Sequence, residues 1–101
     1  MSTKRKLTVK LKRRLGPITF GMFLRSARLS REMSQAEMAR FLGISRASVC
    51  DMEKGRQLVS PALAARIANK VGMSVQIAVA ACLQDQVKKA KLDLIVNLKA
   101  S

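Results

Sequence analysis

The chain has no histidine, no tryptophan and no tyrosine. Among its 101 residues are two cysteines, two prolines, three phenylalanines and six acidic residues. Each shortage removes a class of function. With no histidine, and with Cys50 and Cys82 each lacking a CxxC partner, zinc-ligand spacing is missing and no metal is expected. There is also no glycine-rich phosphate loop, no nucleophile beside a base and no pair of carboxylates at an apolar pocket. The expectation is a protein that is not an enzyme and needs no cofactor. RNA modules usually stack bases on aromatic side chains, whereas Phe20, Phe23 and Phe41 read as core, which disfavours an RNA partner. The two cysteines suit small buried thiols in a reducing cytoplasm. A signal peptide is not evident, because Lys and Arg interrupt LTVKLKRRL. The longest apolar run, Ile77 to Leu83, is far short of the ~20 residues that cross a bilayer. A cytoplasmic, nucleoid-associated protein with no membrane partner is the expectation.

Positive charge is what the chain has in excess. Twenty Lys and Arg against six Asp and Glu give a net charge of +14, with a pI of about 11.3. Such an imbalance implies a polyanionic partner. The length allows a single domain. Its core must be built from Leu, Ile, Val, Met and Ala, which suits packed helices, and a domain this small gains stability from dimerisation.

Three regions follow from the pattern. Residues 1–17 form a basic N-terminal arm; the first 15 carry seven positive charges and no acid, and Gly16-Pro17 marks the boundary. Leu7, Val9 and Leu11 alternate with polar residues, so a short strand fits, as do a solvated tail and an arm lying along DNA. Mutual repulsion favours the last two. Residues 18–90 read as five helices. Thr19 caps the first, whose apolar stripe is Phe20, Phe23, Leu24 and Ala27. Ser34 and Glu37 make a capping box for the second, with Met38, Ala39 and Leu42 inward and Gly43 at its end. Ser45 caps the third, with Val49 and Met52 inward and Gly55 beyond. Ser60-Pro61 opens the fourth, carrying Leu63, Ile67 and Val71, and Gly72 closes it. Ser74 opens the fifth, which runs to about Ala90 with a broad apolar face. Residues 91–101 change period: Leu92, Leu94, Val96 and Leu98 alternate with Asp93, Ile95, Asn97 and Lys99, the pattern of a strand. A lone strand is not stable in water, so it needs a partner.

The segment from Ser34 to Gly55, SQAEMARFLGISRASVCDMEKG, reads as two short helices joined by a tight turn at Gly43. A helix entering the DNA major groove leads with short or basic side chains, and the third helix opens on Ser45, Arg46, Ala47 and Ser48. Arg46 suits the O6 and N7 acceptors of guanine, Ala47 a thymine methyl, and Ser48 a base or a phosphate. Gln35 sits where the second helix begins and suits a phosphate, helped by that helix's dipole. Lys54 and Arg56 suit the backbone beyond.

This segment, followed by SPALAARIANKVG, resembles the Xre family of helix-turn-helix regulators, which includes the phage Cro and repressor proteins. The likeness covers roughly Thr19 to Leu83 and rests on Gln35, Ala39, Gly43, Val49, Glu53 and Gly55. It implies an all-α, five-helix lambda-repressor-like domain and a dimer on a palindromic operator. It places DNA contacts at Gln35, Arg46, Ala47, Ser48 and Asp51. Asp51 departs from the neutral or basic residue common there; it either accepts from cytosine N4 or pairs with a neighbouring Arg. The family also often pairs an arginine late in the first helix with a glutamate near the end of the third, here Arg28 and Glu53, in an ion pair shielded from water.

Within that family the chain most resembles HigA-type antitoxins, which bind their operators as dimers and neutralise RelE- or HigB-like ribonuclease toxins. The LGPITFG lead-in, CDMEKGR and LQDQV carry the likeness. Antitoxins usually present acidic segments to such toxins, yet after residue 57 this chain has only Asp85 and Asp93. A free-standing or prophage-derived repressor is the alternative. Either way the expected dimer interface is the fifth helix, through Val79 and Leu83, and a C-terminal strand pairing across the two-fold axis through Leu92, Leu94, Val96 and Leu98.

Overall fold

A computed structural model of the chain describes residues 18–92 together with 95 and 96. The expected arm at 1–17 lies outside the described residues, as do Leu94 and Leu98. Among the described residues five helices follow in order: α1 (Phe20–Ser30), α2 (Gln35–Leu42), α3 (Arg46–Glu53), α4 (Pro61–Val71) and α5 (Val75–Lys89). Their starts are set by side chains that accept a backbone N–H left without a partner inside the first turn. Thr19 accepts from Met22, Ser34 from Glu37, Ser45 from Ser48, Ser60 from Leu63 and Ser74 from Ile77. Five helices thus start at five hydroxyl caps, and α4 adds the preset φ of Pro61.

Helix ends vary more. Gly43 ends α2 at φ 71, a left-handed conformation that costs a glycine little. Two helices reverse without glycine: Glu32 (φ 54) follows α1 and Lys91 (φ 60) follows α5. In both, the next amide closes the motif, Met33 donating to the Arg28 carbonyl and Leu92 to that of Val87. These two ends are invisible to a search for helix-stopping glycine.

The core is one continuous cluster. Phe20, Leu24, Met38, Ile67, Val49 and Cys82 are its largest fully buried side chains. α4 packs most extensively on α5, α2 on α3, and α1 against both α3 and α5. Three expectations about this core are corrected. Phe41 is only half-buried: the Arg31 guanidinium stacks 4.9 Å from its ring centroid, and Lys70 Nζ lies 5.6 Å away on that ring. The same two cations close helix ends, Lys70 donating to the Phe41 carbonyl and Arg31 to that of Val71, where the helix dipole favours positive charge. Cys50 is half-buried rather than buried. On α5 the inward face is Ala78, Ala81, Cys82 and Gln84, whereas Ile77 is exposed.

Among the described residues there is no strand. Leu92, Ile95 and Val96 lie outside regular structure. The local reason is visible. Lys91 turns the chain back after α5, and the Val96 amide donates to Gln84 Oε1 at 2.7 Å, a side-chain acceptor and not a neighbouring strand.

Gly21 fixes how α1 meets α3. A Cβ built on it would stand 2.5 Å from the Glu53 carbonyl oxygen and 2.7 Å from that of Met52. Both obstacles are backbone, so neither can swing aside. Gly21→Ala tests this directly. Within a helix the change ordinarily gains about 1 kcal/mol; here overpacking costs about 1–3 kcal/mol. The urea midpoint should fall; a variant as stable as the parent would contradict the close approach.

Candidate nucleic-acid interface

α2 and α3 are short helices joined across the turn at Gly43, and they pack against each other. The capping box of α2 is complete: the Glu37 amide donates to Ser34 Oγ at 3.1 Å and the Ser34 amide to Glu37 Oε1 at 2.9 Å. The Ser34 backbone bond, more than its hydroxyl, holds the Glu37 carboxyl below its ordinary pKa. α3 is anchored by Val49 (0% exposed) and Met52 (2% exposed). Its opposite face carries Arg46 and Ala47, both exposed, and Asp51, partly exposed. Lys54, Arg56 and Gln57 continue this surface past the end of the helix and are also exposed.

The structure places the sequence-derived candidates in three ways. Arg46 and Ala47 point outward with no ion pair to the described residues. Ser45 and Ser48 are committed to each other: Ser45 Oγ accepts the Ser48 amide and donates to Ser48 Oγ, both at 3.0 Å. Their first task is to start the helix, and the Ser48 hydroxyl proton remains available to an outside acceptor. Asp51 stands 3.9 Å from Arg56 Nη1, and its backbone carbonyl accepts the Arg56 and Gln57 amides at 2.8 and 3.3 Å. Both side chains of this pair are well exposed, 67% for Arg56 and 42% for Asp51.

Gln35 is turned inward. Its Nε2 lies 3.4 Å from Glu53 Oε1, so one of its two N–H groups addresses protein. Glu53 is the hub of this cluster. It receives Arg28 Nε at 2.7 Å on Oε2 and Arg28 Nη2 at 3.1 Å on Oε1, a two-pronged contact. The third arm of Arg28, Nη1, donates to the Met33 carbonyl at 3.0 Å. The bond to Glu53 raises the Arg28 pKa against the opposing effect of burial. α1, α3 and the start of α2 therefore meet on one carboxylate, and Arg28 ties in the turn before α2. The pair is 13% and 5% exposed.

A second carboxylate works at the far end of α1. Asp85 Oδ2 accepts the Phe20 amide at 3.0 Å, from α5. Burial raises its pKa, with the Phe20 bond and Lys88 opposing. Asp85 therefore contributes most to stability when protonated, and that contribution fades as pH rises through its elevated pKa. Sequence reasoning missed Gly21, Asp85 and the cations on Phe41. Gly21 alone left a signal: a glycine inside an apolar helical stripe needs a packing reason. Of the residues expected at a dimer interface, Val79 and Leu83 stand four apart on α5, Leu92 and Val96 follow it, and Leu94 and Leu98 lie outside the described residues. Val79 is half-buried and packs on its own core, Leu83 is half-buried, and Leu92 is exposed.

Among the described residues no group of three or more metal-ligating side chains comes together, and no helix is long and apolar enough to cross a membrane. Residues 19–80 match the helix-turn-helix domain family, and the chain belongs to it. Membership places it among DNA-binding regulators. No curated protein and no solved structure matches the chain.

The Arg28–Glu53 contact yields a stability test. Glu53→Gln leaves Arg28 with a charge that nothing neutralises in a largely enclosed position, which costs ~3–5 kcal/mol when burial is complete. The thermal midpoint of the variant should drop by many degrees; a midpoint equal to the parent's would show the pair to be idle.

Proposed function

We propose that the protein is a sequence-specific regulator of transcription that binds double-stranded DNA as a homodimer on a palindromic operator and represses. α3 lies in the major groove with Arg46 and Ala47 leading, Ser48 at the groove wall and Asp51 at mid-helix. Lys54 and Arg56 follow the sugar-phosphate backbone, and the second N–H of Gln35 reaches a phosphate at the start of α2. The observation that carries this reading is the two-sided build of α3. One face is sunk in the core through Val49 and Met52, and the other presents exposed short and basic side chains. A helix that is held rigidly and leads with small residues can approach base edges closely.

Within that reading the likeness to HigA-type proteins supports an antitoxin that neutralises a RelE- or HigB-like ribonuclease toxin. The free-standing repressor differs from it in one observable, since only an antitoxin carries a ribonuclease through purification from its native host. The apolar side chains left exposed on α5 and after it, Ile77, Leu92 and Ile95, suit contact with a second chain better than with water.

Selection of bound duplexes from a random pool tests DNA reading, and Arg46→Ala locates it. The variant should lose ~1–3 kcal/mol of discrimination at one base pair per half-site and keep its binding to unrelated duplexes. An unchanged preference would remove Arg46 from the readout.

A further inference from the structure

A cleft of about 260 Å³ opens where α1 begins and α3 and α5 end, lined in part by Thr19, Glu53, Lys54, Asp85, Lys88 and Lys89. Its position and charge are not explained by the core or by the helix-turn-helix. Lys54, the residue that caps the end of α3, continues its exposed face: three residues back is Asp51 and seven back is Ala47, the outward stripe. The cleft is therefore continuous with the surface proposed to face DNA. Its far wall is the last turn of α5, where Lys88 and Lys89 are both exposed. Of the two acids present, Glu53 is already neutralised by Arg28, and Asp85 turns one oxygen onto the Phe20 amide. Three lysines thus outweigh the remaining carboxylate.

The geometry points to a second DNA contact here: the cleft takes a backbone phosphate of the duplex just outside the base pairs covered by α3, held by Lys88 and Lys89 together with Lys54. The inference rests on the DNA-binding reading and extends it from the helix-turn-helix to the end of α5. Lysine acts on phosphate as a mobile point charge and needs no fixed fork, so two adjacent lysines on a rigid helix end serve without a preformed pocket. Such a contact adds affinity and fixes register but reads no sequence. It also gives the paired lysines of α5 a task beyond complementing the helix dipole.

The test is a salt titration of the full chain on a fluorescent 30-base-pair duplex of mixed sequence, comparing the parent with Lys88→Gln/Lys89→Gln. Each phosphate contact adds about 0.9 to the log–log slope of affinity against salt, and one phosphate is held here, so the double variant should lose about 0.9. Its preference among selected duplexes should stay as in the parent. Arg66→Gln removes a positive charge from α4 away from the cleft and should leave the slope unaltered, which separates a local contact from loss of net charge. A double variant with the parental slope overturns the inference. So does a loss per charge that Arg66→Gln reproduces. Failure of the parent itself to bind any duplex at low ionic strength would instead refute the underlying DNA-binding reading.

Discussion

The architecture depends on the approach of α1 to the end of α3. Gly21 removes the one side chain that would hold the two backbones apart, and Arg28 then grips Glu53 through two parallel hydrogen bonds. Steric absence and electrostatic presence work seven residues apart on one helix. Together they fix α3 at its C-terminal half, while Val49 and Met52 fix it along its length. What remains free is the outward stripe. A recognition surface gains from this arrangement because its side chains are presented by an element that loses little further freedom on binding.

Charge is distributed along the same lines. Few acids are present, and four of those in the described residues have structural partners. Glu37 completes a cap, Glu53 holds Arg28, Asp85 receives the Phe20 amide, and Asp51 stands near Arg56. Such local engagement leaves much of the lysine and arginine excess facing solvent. Among the described residues the excess of positive charge is therefore a property of the surface, where it suits a polyanion.

Much of the helical architecture is legible in the sequence because its starts are chemical. Thr19, Ser34, Ser45, Ser60 and Ser74 are hydroxyl residues placed one before an apolar period, and each is a cap in the structure. Helix ends are less legible, since Glu32 and Lys91 take the left-handed position that pattern reading assigns to glycine. The alternation from Leu92 to Leu98 is not expressed as a strand at Leu92, Ile95 or Val96, the described residues of that segment. Period two records which side chains could share a face, but a strand also needs an edge to pair with, and here Val96 meets the side chain of Gln84. In the candidate site, exposure of Arg46 and Ala47 follows from the inward Val49 and Met52 by helical spacing alone. The Arg28–Glu53 contact does not follow from spacing, because its partners are 25 residues apart; the resemblance to a family suggested it. Gln35 shows the limit of reasoning from position: its place at the start of α2 suggests phosphate, yet a neighbouring carboxylate attracts its amide first.

The central claim is that α3 enters the major groove with its outward stripe against base edges. Methylation interference on a selected duplex addresses it most directly, because dimethyl sulfate modifies guanine N7 on the major-groove floor. The account requires that methylation at guanines within the site block binding. A protein that binds the duplex tightly, yet tolerates methylation at every major-groove guanine in its site and is blocked only by minor-groove modification, would contradict it.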